Sequence, residues 1–270
     1  EFSDAARNAA RAEDQAAARE LGIARPSLFK LAAEHRWRFE RGLSLACGSG
    51  RAERELIKRG ICASFVGIDI AEQALVEARR QVGGMDIAYR SGDLNLLELG
   101  PGAFDLVVTQ NCLHHVLELE KLAEQIWRSL RPGGRLWIDD YVGESQFQWT
   151  DVRLQIVNDI LGSLSPELRK STITGRTVGP YARRAPGTLA SPFEAIRSEE
   201  ILPVFSKWFD VELRFESNSI LHLVAPVGTR RGFADHGRDV FKLLQAVDRA
   251  LIASGTLAPL SGQYVLRRRD

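Results

Sequence analysis

Leu43-Ser-Leu-Ala-Cys-Gly-Ser-Gly50 carries an apolar strand (Leu43, Leu45) into small residues, and Phe65-Val-Gly-Ile-Asp69 delivers a carboxylate nineteen residues past Gly50. Small residues let a backbone approach a ligand, and a helix begins near Arg51. A carboxylate at that separation suits a ribose, so the stretch reads as a nucleotide-type cofactor site. Glycine at 48 and 50 reaches backbone angles that a side chain forbids, and one carboxylate accepts from both ribose hydroxyls. Three residues past Gly50 stands Glu53, where a dinucleotide fingerprint has its third glycine. A carboxylate there argues against a bound phosphate.

Further along come Ser91-Gly-Asp-Leu94, Phe104-Asp-Leu-Val-Val-Thr-Gln110, Leu113-His-His-Val116 and Leu130-Arg-Pro-Gly-Gly-Arg135, the last leading into Leu136-Trp-Ile138. In this order and spacing, over roughly residues 40–141, the chain resembles the class I S-adenosylmethionine-dependent methyltransferases of small-molecule type. The resemblance implies that Ala46, Cys47, Gly48 and Gly50 form the loop under the methionine part of the cofactor and that Asp69 holds its ribose. It further implies that Ile70 lies on one face of the adenine, Asp93 accepts from the exocyclic amine, Leu94 closes the other side and Gln110 sits beside the methionyl group. Two positions depart from the family's pattern: Ser44 replaces a frequent acid and Ala46 a frequent glycine. Ser44 supplies no charge to orient the cofactor ammonium, and Ala46 narrows the loop. The resemblance also implies a doubly wound α/β sheet of seven mostly parallel strands in the order 3-2-1-4-5-7-6, the last antiparallel.

The implied chemistry is in-line displacement of a methyl group from S-adenosylmethionine, leaving S-adenosylhomocysteine. Because the cofactor is already activated, positioning supplies much of the acceleration, and a base is needed only where the nucleophile loses a proton. His114 and His115, expected at the start of the helix after strand four, are the candidates. His115 is favoured, since it matches the pocket-lining histidine of similar Leu-x-His-Val segments. Asp139, Asp140 and Tyr141 leave strand five at the same edge and are candidates to orient the acceptor. The paired aspartates lack a third oxygen ligand at a recognisable spacing, so no metal is expected.

Strands are expected at 43–47, 64–68, 86–90, 104–109 and 135–139, with helices at 51–59, 71–82 and 118–130 between them. That alternation indicates a parallel sheet in its own right. Residues 132–134 read as the turn that re-enters the sheet. Before this core, 1–41 reads as N-terminal helices; Trp37 and Phe39 either cap the cofactor site or pack helices on the sheet. After it, 142–197 breaks the pattern: a helix over 151–164 precedes an irregular stretch, 170–192, rich in Gly, Pro, Arg and Thr. A long irregular segment is commonly functional. In the family such an insertion often forms the acceptor lid, with Tyr141, Trp149, Arg176, Tyr181, Arg183 and Arg184 as acceptor-binding candidates. Residues 198–270 are expected to finish the α/β core with a helix at 198–206, strand six at 208–215, a strand-like run at 220–225, a helix at 233–254 and strand seven at 262–268.

At 270 residues, 44% hydrophobic and 26% charged, the chain is an ordinary globular protein. A formal net charge of +1 gives no long-range field to attract nucleic acid, and Arg267-Arg-Arg269 is a local basic patch. Three cysteines without C-x-x-C spacing speak against a disulfide framework or zinc site and for a reducing cytoplasm. No apolar run approaches membrane-spanning length and no signal-peptide pattern opens the chain, so a cytoplasmic protein with no membrane partner is expected. Three functions stay open: methylation of a hydroxyl on a saccharide or secondary-metabolite intermediate, a non-methylating reaction such as cyclisation on the same fold, and an inactive regulatory module. The segment 141–149 looks like methyltransferases found with glycan-assembly enzymes.

Overall fold

Val66, Leu43, Val107, Leu136 and Leu266 lie side by side on five adjacent strands and form one apolar row across the sheet. All five belong to one buried cluster, joined there by Leu119, Leu122, Ala123 and Ile126 of the helix Leu119–Ser129. Their chain neighbours Phe65, Leu106, Val108, Trp137 and Val265 point to the opposite face, where they pack with Leu28, Ala32 and Leu56. Period-two alternation with both faces apolar is what a sheet covered by helices on each side requires, and each fully buried side chain contributes about 2 kcal/mol.

The computed structural model describes residues 4–23, 26–183, 189 and 191–270. The strands are β1 (Phe39–Leu45), β2 (Cys62–Asp69), β3 (Ile87–Ser91), β4 (Phe104–Gln110), β5 (Leu130–Tyr141), β6 (Phe209–Ser217) and β7 (Ser261–Arg268). They form one seven-stranded sheet in the order β3-β2-β1-β4-β5-β7-β6, parallel from β3 through β5, with β7 antiparallel to β5. The α/β architecture and strand order are those expected. This sheet belongs to a compact unit of Pro26–Gln146, Leu189–Glu216 and Ser261–Asp270. Within it Phe39 is buried in the helix-covered face and Trp37 packs beside it under the Arg135 guanidinium, so these aromatics pack the sheet. The terminal arginines clip strand ends: Arg268 donates to the Leu130 carbonyl, and Arg269 donates to the carbonyls of Ser206, Lys207 and Phe209.

Residues 132–134 do not separate helix from strand. Leu130 already pairs with Phe104, and the register slips before Leu106 meets Arg135, so the Pro-Gly-Gly stretch is an irregularity inside β5, with Gly133 at φ 74°.

A second unit gathers the described parts of Glu1–Arg25, Phe147–Thr188 and Ser217–Leu260. It holds the helices Asp4–Glu20, Asp151–Ser163, Pro166–Arg169, Leu221–Val224, Arg230–His236 and Arg238–Ala253. Two expectations are corrected here. The strand-like run at 220–225 is the helix Leu221–Val224, because the buried Asp248 carboxylate accepts from the backbone N–H groups of Asn218, Ile220 and Leu221 and from the Ser219 hydroxyl. Satisfying those donors curls the chain where its apolar pattern alone suits a strand. The helix expected at 233–254 is broken at Gly237, whose backbone approaches Leu168 so closely that a Cβ would stand 2.7 Å from Leu168 Cδ2.

Candidate functional site

The turn after β1 is shaped by left-handed residues: Ala46 has φ 50°, Gly48 φ 54° and Gly50 φ 73°. Asp69, at the end of β2, fastens it: one carboxylate oxygen accepts from Gly48 N at 2.7 Å and the other from Ala71 N at 2.8 Å. The carboxylate keeps further lone pairs for a ligand. Beside it Ile70 is 70% exposed, an apolar side chain presented to solvent at a strand end. Asp93 accepts from the backbone and side-chain nitrogens of Asn95, and Leu94 packs partly against the core. Gln110 is exposed at the end of β4. Cys47 is no thiolate, since burial, with Glu53 and Asp69 nearby, pushes its thiol up to about 12.

The two turn glycines differ in what surrounds them. A Cβ on Gly50 would lie 1.9 Å from the Tyr89 hydroxyl oxygen, whereas a Cβ on Gly48 would meet nothing within 4 Å. Gly50→Ala therefore combines left-handed strain with displacement of a buried ring and is expected to cost about 2–4 kcal/mol of stability. Gly48→Ala carries only the strain, about 1–2 kcal/mol. Its methyl group instead enters the open space over the turn, so cofactor affinity suffers more than the melting temperature. Thermal unfolding and calorimetric titration of both variants check this contrast.

At the neighbouring carboxyl ends of β4 and β5, Leu113–His115 forms a 3₁₀ turn ahead of the helix Leu119–Ser129 rather than that helix's first residues. The helix start is bound separately, by Asn95 Oδ1 accepting from Leu117 N and Glu118 N. Asp140 organises the histidine turn. Its carboxylate, 2% exposed, accepts from the backbone nitrogens of Cys112, Leu113 and Tyr141 and lies 2.5 Å from His114 Nδ1. His114 Nε2 faces Glu194 at 3.6 Å and His115 Nδ1 faces it at 3.8 Å. The segment bearing Glu194 is tied to the same turn, since Ile196 N donates to the His114 carbonyl. His114 is buried and His115 is 44% exposed at its side chain. An imidazole held through Nδ1 by a carboxylate presents Nε2, a geometry that orients a base. The donor atoms of His114, His115 and Glu194 lie within 4.8 Å of one another, and two imidazoles with a carboxylate are also ligands that a cation such as Zn²⁺ accepts.

The acceptor candidates divide. Tyr141 is buried, donates to the Glu144 carbonyl and meets the His114 ring edge-on at 6.5 Å. In the second unit Trp149 and Tyr181 meet edge-to-face at 5.5 Å, with the Tyr181 hydroxyl donating to the Leu223 carbonyl. Arg183 pairs with Asp151 at 2.7 Å, Arg176 is exposed, and Arg184 lies outside the described residues. Asp139 accepts from Gln263 Nε2 at 2.8 Å.

Residues 43–138 match a family model described as a methyltransferase domain. This segment is a class I S-adenosylmethionine-dependent methyltransferase domain. Over 104 residues, 38% of this chain and 47% of the relative, the sequence is 33% identical to demethylmenaquinone methyltransferase of Thermus thermophilus. The chain spans less than half the length of the curated relatives it matches. A solved S-adenosylmethionine-dependent methyltransferase from Mesorhizobium loti shares the fold with a TM-score of 0.50 and 18% identity, covering 86% of this chain and 92% of that one. The [4+2]-cyclase SpnF shares it too, with a TM-score of 0.51 and 16% identity over 89% of this chain and 80% of that one. The methyltransferase domain's cofactor is S-adenosylmethionine, and the residues present fit it. The space beside Gly48 is open, an apolar Ile70 stands beside the Asp69 carboxylate, and a buried carboxylate, Glu53, lacks a donor in hydrogen-bond geometry among the described residues.

Asp140 is legible in the sequence as a strand-end carboxylate but its hold on the histidine turn is not, and neither Glu194 nor Asn95 is marked there as a site residue. The local turn at Asn95 is made by the Asp93 side chain, whereas the Asn95 oxygen serves Leu117 N and Glu118 N, 22 and 23 residues downstream. Glu194 is equally silent, because nothing near it in the chain marks it as a partner of histidines about eighty residues earlier.

Proposed function

We propose that the protein transfers the methyl group of S-adenosylmethionine to a hydroxyl of a small-molecule acceptor, a saccharide or secondary-metabolite intermediate. The supporting observation is that adjacent parallel strand ends carry both the Asp69-fastened glycine turn and the Asp140-held histidine turn. Ligands of open α/β sheets bind at such carboxyl ends. When bound, the cofactor supplies an electrophilic methyl group on a sulfonium. Asp69 then holds the ribose, Ile70 covers one adenine face, Asp93 and Leu94 bound the other side, and Gln110 stands beside the methionyl end. His115, the more exposed imidazole, takes the proton that the acceptor hydroxyl loses as the carbon–oxygen bond forms, and His114 is the positioning partner fixed by Asp140.

His115→Ala is expected to lower turnover about 10²-fold at saturating acceptor while leaving cofactor affinity unchanged, because general bases contribute on this scale. Near-normal turnover across about pH 6 to 9 would remove His115 from the reaction. Incubation of cell extract with methyl-labelled cofactor, followed by mass spectrometry, identifies the acceptor. Product formed without S-adenosylhomocysteine release would assign the non-methylating reaction instead.

A further inference from the structure

Glu53 occupies the first turn of the helix Arg51–Lys58, directly after the loop bearing Gly48 and Gly50, and its residue is 0% exposed. Neither carboxyl oxygen meets a donor in hydrogen-bond geometry among the described residues. Ser44, Asp69, Cys47 and Tyr89 are its polar neighbours. Burial pushes this carboxyl up, against the pull of the Ser44 hydroxyl, its own backbone N–H and Arg54, while Asp69 adds to the rise. Arg54 is engaged elsewhere: its guanidinium donates to the Ser49 carbonyl and to Gln81 Oε1, each at 2.6 Å.

A buried carboxylate whose oxygens meet no donor in good hydrogen-bond geometry is among the costlier groups a fold can hold, and an amide or aliphatic chain of similar size fills the same space at lower cost. Its presence beside a ligand-binding turn points to a cation that arrives with the ligand. With Asp69 committed to the ribose and Ile70 to the adenine, the remaining end of the cofactor is the methionyl group, which carries one ammonium and one carboxylate. Glu53 attracts the first and repels the second.

We propose that Glu53 binds the α-amino group of S-adenosylmethionine, providing from the helix the charge that Ser44 does not provide from β1. The inference rests on the methyltransferase reading of the site. It makes Glu53 a binding and positioning residue, setting the rotation of the methionyl arm and hence the line of approach to the methyl group.

Calorimetric titration of the full chain with two ligands tests it. S-adenosylhomocysteine carries the amino-acid arm, and 5′-methylthioadenosine keeps the adenine, ribose and sulfur but lacks that arm. Glu53→Gln preserves shape and removes the charge, and is expected to weaken S-adenosylhomocysteine about tenfold to hundredfold while methylthioadenosine stays within about twofold. Adding Ser44→Asp to that variant is expected to restore S-adenosylhomocysteine affinity in large part. Unchanged S-adenosylhomocysteine affinity in Glu53→Gln, or an equal loss for both ligands, overturns the proposal; the equal loss would mean that Glu53 only shapes the loop. Absence of binding to either ligand by the wild-type chain would instead bring down the cofactor reading itself. Should Glu53→Gln not fold, Glu53→Asp, which withdraws the charge by one methylene, takes its place, with selective loss of S-adenosylhomocysteine supporting the assignment and equal losses overturning it.

Discussion

Asp140→Ala is expected to cost about 3–5 kcal/mol of stability, the largest single loss for a substitution in this site. Four donors converge on that carboxylate, three of them backbone N–H groups of Cys112, Leu113 and Tyr141 and the fourth His114 Nδ1. Alanine leaves them unpaired in a buried place. Each orphaned neutral donor costs about 1–3 kcal/mol, partly recovered where water enters, so four donors losing one buried acceptor account for a loss of that size. For a domain of this size the melting temperature is expected to fall by roughly 10 °C. The neighbouring Asp139, half-buried and accepting from Gln263, is the control, and Asp139→Ala is expected to cost about 1 kcal/mol. Equal melting temperatures for the two variants would show that the histidine turn holds without Asp140. Turnover by Asp140→Asn separates the second role of this residue. An amide keeps one acceptor oxygen for the backbone but no longer fixes the tautomer of His114, so catalysis should drop further than stability.

The features legible in the sequence are those whose cause is local. The Leu43–Gly50 turn, the spacing to Asp69 and the succession of strands and helices from β1 to β5 follow from residues near one another, although β1 spans Phe39–Leu45 rather than 43–47 and β5 begins at Leu130 rather than 135. What escaped depends on partners distant in the chain. Asp248 curls residues 218–221 from thirty residues downstream, Leu168 requires Gly237 to lack a side chain, and Glu194 reaches the histidines from the far side of an irregular stretch. None of these contacts alters a local propensity. The same limit applies to Glu53: its sequence position argued against a phosphate, but only the fold shows a buried carboxylate with no donor in good hydrogen-bond geometry among the described residues.

Asp69→Ala is expected to weaken S-adenosylmethionine about tenfold to hundredfold with the sheet intact, since a hydrogen-bonded charged acceptor contributes about 1.5–3 kcal/mol to binding. The geometry adds a second route to the same loss. Asp69 also holds Gly48 N and Ala71 N, so its removal frees the turn that carries three left-handed residues. Ala46 sits in that region without the freedom of glycine, and the hydrogen bond to Gly48 helps oppose its relaxation toward an ordinary backbone angle. The two routes are separable by ligand. Loss of the proposed ribose contact is expected to fall equally on S-adenosylhomocysteine and methylthioadenosine, which share the ribose, whereas a loosened turn is expected to penalise the ligand that carries the methionyl arm. Asp93→Ala is expected to weaken both ligands less, because in the proposed placement the adenine keeps the apolar surfaces of Ile70 and Leu94. Titration of Asp69→Ala, with circular dichroism to establish that the strands persist, decides the matter: affinity equal to wild type for both ligands would mean that the strand-end carboxylate serves the turn and not the cofactor.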